Sequence, residues 1–339
     1  MKQQAISLGR IFGIPVDLDY SWFLIFILLT WTFATGYFPA EFKGWPVIEY
    51  WIVGMVTALL MFASVLLHEF GHSMVAIRYR IPVRKITLFI FGGVAQISAE
   101  SPNAMAEFWI AIAGPVVSFL LAGLFGLLQY AVTGISPLLA LLKYLAYING
   151  TLGLFNLIPA FPLDGGRVFR AILWGSSKNL RRATLIAANT GRVIAFLFIL
   201  FGVWQIFNGN LANGLWIAFI GWFLENAARG QVQQQQLASI LADHTAIDAM
   251  SRDLASAATA SPEQPLSGTH MNEIRSIPAS MKLVEAVEVF EQENVDQLAV
   301  KENGQIIGVL SRESLLSFLR SLKDGDKKPP STQHLSPNP

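Results

Sequence analysis

His68, Glu69 and His72 stand in the run VLLHEFGH at residues 65–72, in surroundings that are otherwise apolar. On a helix, residues four apart stack on one face, so His68 and His72 can offer two imidazole nitrogens to a single Zn2+. Glu69, one position along, lies close enough to work on a water held at that metal. The chemistry served by such a pattern is hydrolysis. Its setting adds weight, because the apolar run begins near Tyr50 and is long enough to cross a bilayer before the three polar residues arrive in its last turns. A single buried histidine is commonly a satisfied core residue. Three costly polar groups on one apolar helix call for a function.

Two imidazoles leave a tetrahedral site incomplete. The chain has no cysteine, which excludes disulfides and thiolate ligands and leaves acids and the other histidines, His244, His270 and His334, all in the C-terminal tail. Asp164 is the better placed candidate, since it follows an apolar span ending in NLIPAFPLDGGR. Gly165 and Gly166 are expected to let the backbone turn there, and Pro159 and Pro162 to make the approach non-helical. Asn156, in the same segment, can hold a substrate carbonyl or a transition-state oxyanion. On these residues alone, an Asp-Gly surface turn and a helix-capping asparagine remain open as rival readings.

The elements that must position these groups are membrane spans. Of 339 residues, 53% are hydrophobic and only 14% charged, and the mean hydropathy is +0.48, the composition of an integral membrane protein. The net charge of +1 gives no indication of a nucleic-acid partner. Lys2 and Arg10 precede an apolar stretch without a small-x-small cleavage pattern, so the first span is expected to be retained. The expected spans are 20–38, 48–77, 104–132, 138–158, 184–207 and 211–224, after a short polar-apolar lead over residues 1–19. Between the second and third, ITLFIFGGVAQISAESP is rich in β-branched and aromatic residues and broken by Gly92 and Gly93, and reads as a small membrane-associated β element. The third span carries a small-residue patch at Ala113-Gly114-Pro115 suited to close helix contact. Arg192, inside the fifth, is expected to snorkel toward the cytoplasmic face or to pair with an acid such as Glu107 or Glu225.

Six spans put both termini on one side. That side would hold Lys2, Arg10, Arg78, Arg80, Arg84, Lys85, Arg167, Arg170, Lys178, Arg181, Arg182 and Arg229, against Lys43 and Lys143 opposite. The asymmetry makes it the cytoplasmic side and brings His68, His72 and Asp164 to the same face.

HEFGH in a span, then FGG, AGP and NLIPAFPLDGGR before a further span, resembles the site-2 protease family of intramembrane zinc metalloproteases, over about residues 10–225. The resemblance implies one Zn2+ held by His68, His72 and Asp164, with Glu69 as general base and Asn156 assisting at the substrate. It also implies that the strand bearing Gly92 and Gly93 holds an unwound substrate by strand addition. Its substrates would be single-span proteins, membrane-tethered regulators above all, cut near the cytoplasmic face of a bacterial-type inner membrane.

Beyond residue 229 the composition changes. Residues 229–274 read as an amphipathic helix, a fragment TAIDAMSRD and a Ser/Pro/Gly linker at 258–269, residues 275–322 as a small α/β unit, and 323–339 as a disordered tail. The α/β unit resembles a CBS domain, with TAIDAMSRD looking like the opening of another. CBS modules work in pairs, so a complete cleft calls for a second chain and a homodimer. The resemblance also implies an adenine-nucleotide site, but the pattern G-h-h-S/T-x-x-D appears here as Gly308, Ser311 and Ser314, and the missing Asp counts against the nucleotide. The expected fold is thus a six-span α-helical membrane domain, residues 1–228, with a C-terminal CBS-like domain. Two rivals to the protease are a metal-ion transporter using the three ligands as a transit site and an inactive scaffold recruiting partners through its tail.

Overall fold

The computed structural model describes residues 5–90, 92–97, 101–132, 136–251, 275–293 and 295–325. Two compact units, Met1–Val232 and Gln233–Pro339, make up the chain.

The first unit opens with a hairpin, β1 (Ala5–Ile11) and β2 (Ile14–Asp19), where a plain lead was expected. Its turn is made by Phe12 and Gly13, both at positive φ (50° and 83°), which matches the twist of a tight hairpin. In β2 the alternation is regular, with Ile14, Val16 and Leu18 buried and the intervening Pro15, Asp17 and Asp19 half-buried. Asp19 caps helix α1 (Tyr20–Thr32) by accepting from the Ser21 amide at 2.9 Å, and hydrogen bonds from Ser21 hold its carboxyl below the ordinary carboxylate range. A π-helical turn, Phe33–Tyr37, and a short α2 (Phe38–Glu41) extend this first span.

Helix α3 (Val47–Arg78) returns across the membrane and is followed by β3 (Val83–Phe89) and β4 (Gly92–Ile97). The four strands form one sheet in the order β1-β2-β3-β4, parallel between β2 and β3 and antiparallel elsewhere. Its inward residues Ile14, Val16, Leu18, Ile86 and Leu88 pack on Phe62, Leu66 and Phe70 of α3, a helical i, i+4, i+8 row. His68 and His72 lie off that row, toward α4 (Ala104–Ala131), while Ser64 receives a hydrogen bond from Asn149 of α5 (Ser136–Asn156) at 3.2 Å. The Phe12 ring lies edge-on to Phe70, at 5.9 Å between centroids.

Beyond α5 come α6 (Asp164–Ser177), α7 (Leu180–Phe207) and α8 (Leu211–Asp243). Among the described residues five helical stretches are long and apolar enough to cross a membrane: Tyr20–Glu41, Val47–Arg78, Ala104–Ala131, Ser136–Asn156 and Leu180–Phe207. Large apolar side chains such as Leu24, Ile27, Leu120, Leu127 and Phe196 are exposed on them, as lipid-facing side chains would be. The span count therefore differs from expectation. The sixth segment, 211–224, is the start of α8, whose apolar part gives way without a break to Glu225, Arg229 and a glutamine run. Helix α6 is a further difference, because the basic residues of 167–182 had masked its amphipathic repeat.

In the second unit a three-stranded sheet, β5 (Ser276–Pro278), β6 (Gln297–Glu302) and β7 (Gln305–Ser311), carries α10 (Leu283–Glu293) and α11 (Arg312–Gly325). The fragment TAIDAMSRD does not begin a second unit as expected. Its helix α9 (Ala246–Ala249) packs in the same core as Leu283, Leu298 and Leu310, and Ser251 exchanges two backbone hydrogen bonds with Val309, at 2.9 and 3.0 Å. Gly308 makes this approach possible, since a Cβ there would lie 2.7 Å from both Met250 Sδ and the Ser251 carbonyl. A capping box closes α9: the Thr245 amide and hydroxyl both donate to Asp248, and these bonds hold the Asp248 carboxyl below its ordinary range. The linker expected at 258–269 and the tail from residue 326 lie outside the described residues, while 323–325 belong to α11.

Candidate metal centre

His68 and His72, each only 4% exposed, project from one face of α3 toward α4. Their Nε2 atoms are 3.2 Å apart, and each is 3.1 Å from Oδ2 of Asp164, the first residue of α6. Among the described residues, these three form the one group of acids and histidines whose ligand atoms converge for a metal ion. In a tetrahedron with metal–ligand distances of about 2.0–2.1 Å, neighbouring ligand atoms stand about 3.3 Å apart, so the observed spacings need only a small expansion to take one zinc.

The outer nitrogens are engaged as a metal site requires. His72 Nδ1 donates to the Ile110 carbonyl at 2.7 Å, which leaves Nε2 with its lone pair facing inward. His68 Nδ1 lies 2.8 Å from Ser118 Oγ. Between these two anchors on α4 comes Gly114, where a Cβ would overlap His72 Nε2 and lie 2.5 Å from His68 Nε2. The small-residue patch at 113–115 is thus more than a helix contact: its glycine leaves the space in which the ligand atoms meet. Residues and space together fit a zinc ion. The structure supplies the anchors Ile110 and Ser118, which the sequence pattern had not singled out.

Glu69 follows His68 on the helix and meets β4. A Cβ on Gly93 would lie 2.6 Å from Glu69 Cγ, and the Ala95 amide donates to the Glu69 carboxylate. Gly92 adopts φ 126°, a conformation that favours glycine, and pairs with Phe89 across the hairpin. Asn156 ends α5 and is half-buried.

Gly165 and Gly166 do a different job from the turn expected of them. Both are buried in the first turn of α6, where a Cβ on Gly165 would overlap the Leu157 carbonyl and one on Gly166 would lie 2.7 Å from Phe161 N. They let the loop at 157–161 lie directly on α6, and so fix where Asp164 begins. The other histidines stay outside this group: half-buried His244 bonds the end of the preceding helix through Nδ1 at 2.9 Å, and His270 and His334 are outside the described residues. Arg192 approaches Glu225 at 3.6 Å, one of its two expected partners, while Glu107 pairs instead with Arg170. In the second unit, Ser311 and Ser314 exchange side-chain hydrogen bonds with each other's amides at 2.9 and 3.0 Å. The serine standing in place of the pattern's Asp is therefore taken up in capping α11.

The profile of peptidase family M50 matches residues 56–137 and 131–200, and that of the CBS domain matches residues 270–321. Rip3 of Mycobacterium tuberculosis, named as a zinc metalloprotease, is 39% identical over 251 residues, covering 73% of this chain. The zinc metalloprotease MJ0392 of Methanocaldococcus jannaschii is 36% identical over 203 residues, or 59% of this chain. This chain spans 64% of the length of Rip3 and 54% of that of MJ0392. The solved site-2 protease from Methanocaldococcus jannaschii shares 32% identity, with a TM-score of 0.47, over 67% of this chain and 95% of that one.

Proposed function

Because the chain belongs to peptidase family M50 and carries a CBS domain, we propose that it is a zinc-dependent endopeptidase acting on membrane-embedded segments of other proteins. The observation that carries this reading is the convergence of His68, His72 and Asp164 beside Glu69. Zinc, when bound, supplies a Lewis acid for the scissile carbonyl and lowers the pKa of a water.

The chain's own residues divide the remaining work. Ile110 and Ser118 hold the two imidazoles with Nε2 inward, and Asp164 brings the negative charge. Glu69 takes the proton from water and hands it to the leaving amine. Asn156 holds the substrate carbonyl and its developing negative charge. A transmembrane helix shields its peptide bonds, so the substrate must unwind. Among the described residues β4 is the end strand of its sheet, with Gly93 beside Glu69, and its outer edge can pair with an extended segment.

In this reading residues 1–228 form the protease domain, and 275–322, with the 229–274 segment before it, the CBS-bearing tail. Counting the apolar start of α8 as a sixth crossing puts both termini on the cytoplasmic side, and cleavage takes place near that face. The substrates are single-span proteins, membrane-tethered regulators among them, and the lone CBS unit pairs with that of a second chain.

The test is zinc analysis of the purified full chain beside a cleavage assay with a single-span substrate. Glu69→Gln should keep about one zinc and lose cleavage by roughly 100-fold or more. Undiminished cleavage by this variant, or no zinc in the wild type, would overturn the reading.

A further inference from the structure

Helix α4 presents one buried row, Glu107, Ile110, Gly114 and Ser118, toward the metal centre. Three of these meet the histidines: the Ile110 carbonyl takes the His72 proton, Ser118 meets His68 Nδ1, and Gly114 leaves room for both Nε2 atoms. The fourth, Glu107, is 1% exposed and has no contact with the ligands; it accepts from Arg170 of α6, with Nε at 2.8 Å and Nη2 on the same oxygen, Oε1. Arg170 also lies over the ring of Phe161, 5.5 Å from its centroid. Phe161 is itself buried against Ala187, Ala188 and Ala228, in the loop that leads into Asp164.

From this arrangement we infer that Glu107 and Arg170 are positioning residues for the third metal ligand. Asp164 opens a helix whose N-cap, Leu163, offers no side-chain hydrogen bond; at that end the loop at 157–161 packs on Gly165 and Gly166, which leaves the helix's rotation against α4 to be fixed further along. Arg170 supplies that fix at two points, to α4 through Glu107 and to the approach loop through Phe161. A single face of α4 then sets all three ligands: His68 through Ser118, His72 through Ile110 and Asp164 through Glu107. A buried ion pair contributes little net stability against an apolar pair of similar size, so stability alone does not account for this one. Geometry does, because a carboxylate displaced from the two Nε2 atoms lowers metal affinity without unfolding the protein.

The inference rests on the zinc site of the preceding reading, and its test separates the two. Zinc affinity of the full chain in detergent is measured by competition with a chelator, for wild type, Arg170→Lys and the paired variant Glu107→Gln/Arg170→Met, with thermal unfolding of the metal-free proteins alongside. The paired variant avoids leaving a buried charge alone, and Arg170→Lys keeps the charge while removing the fork. Zinc should bind roughly 10–100-fold more weakly in the paired variant and by a smaller factor in Arg170→Lys, the usual scale for groups that orient metal ligands. Cleavage should recover at saturating zinc. Wild-type zinc affinity in either variant would overturn the inference while leaving the protease reading intact. So would a loss of affinity no larger than the accompanying loss of metal-free stability explains. Absence of zinc binding in the wild type would remove both.

Discussion

Gly114 stands against Nε2 of His72 with no room for a methyl group between them. Helix α4 thus takes part in the candidate metal centre through what it lacks. Gly114→Ala should therefore fold and insert normally yet purify with its zinc content reduced from about one equivalent to near zero. Metal analysis beside circular dichroism checks this, and a fully zinc-loaded Gly114→Ala would refute it.

Glu69 and Gly93 have a similar relationship at the next position. A methyl at Gly93 would lie 2.6 Å from Glu69 Cγ and would push the proposed base aside while its nearest neighbours include none of His68, His72 and Asp164. Cleavage by Gly93→Ala should fall on the order of 100-fold, the scale of an ångström's misplacement of a reacting group. Its zinc content should stay at the wild-type level, the opposite pattern to Gly114→Ala.

Ser118→Ala removes the partner of His68 Nδ1 at 2.8 Å. Zinc affinity should drop roughly 10–100-fold, and Ser118→Thr, which keeps the hydroxyl, should recover most of it. Chelator competition is the measurement. The matching contact of His72 is to a backbone carbonyl, so no side-chain substitution at Ile110 deletes it.

Asp248 gives a pH prediction outside the membrane. Its carboxyl is held below its ordinary value, first by the Thr245 amide and then by the Thr245 hydroxyl. The folded form therefore favours the ionised group, and this stabilisation is present above an unfolded-state pKa of about 3.9 and fades as pH falls through the lower folded value. Asp248→Asn should speed hydrogen exchange of the Ala246–Ala249 turn in the full chain at neutral pH, with the difference shrinking toward pH 3. A difference that grows on acidification would contradict the sign.

What could be read from the sequence depended on how each residue acts. His68 and His72 were legible because an i, i+4 pair needs only a helix to converge. Asp164 was reached through the charge asymmetry of the loops, a long-range but simple constraint. The anchors on α4 were hidden, because Ile110 acts through its backbone, Gly114 through an absent side chain and Ser118 through a common hydroxyl. Glu107 and Arg170 are separated by 63 positions, and no local pattern joins them. The hairpin over residues 5–19 was missed in what reads as a polar-apolar lead, because the alternation of Ile14, Val16 and Leu18 gains its meaning only beside β3. TAIDAMSRD misled because a motif's opening residues cannot reveal that its continuation returns from beyond residue 274.

Strand β2 runs directly into α1, α3 leads back through residues 79–82 to β3, and β2 and β3 pair side by side. The two strands act as a clasp on the helical loop formed by α1 and α3, gripping the start of one and the finish of the other. The far end is closed as well, with Phe33 and Ala34 packed on Tyr50 and Val53, so the loop is held at both ends. Glu69 lies beside that sheet, so the same clasp ties the depth of its carboxylate in the helical loop to the position of β4.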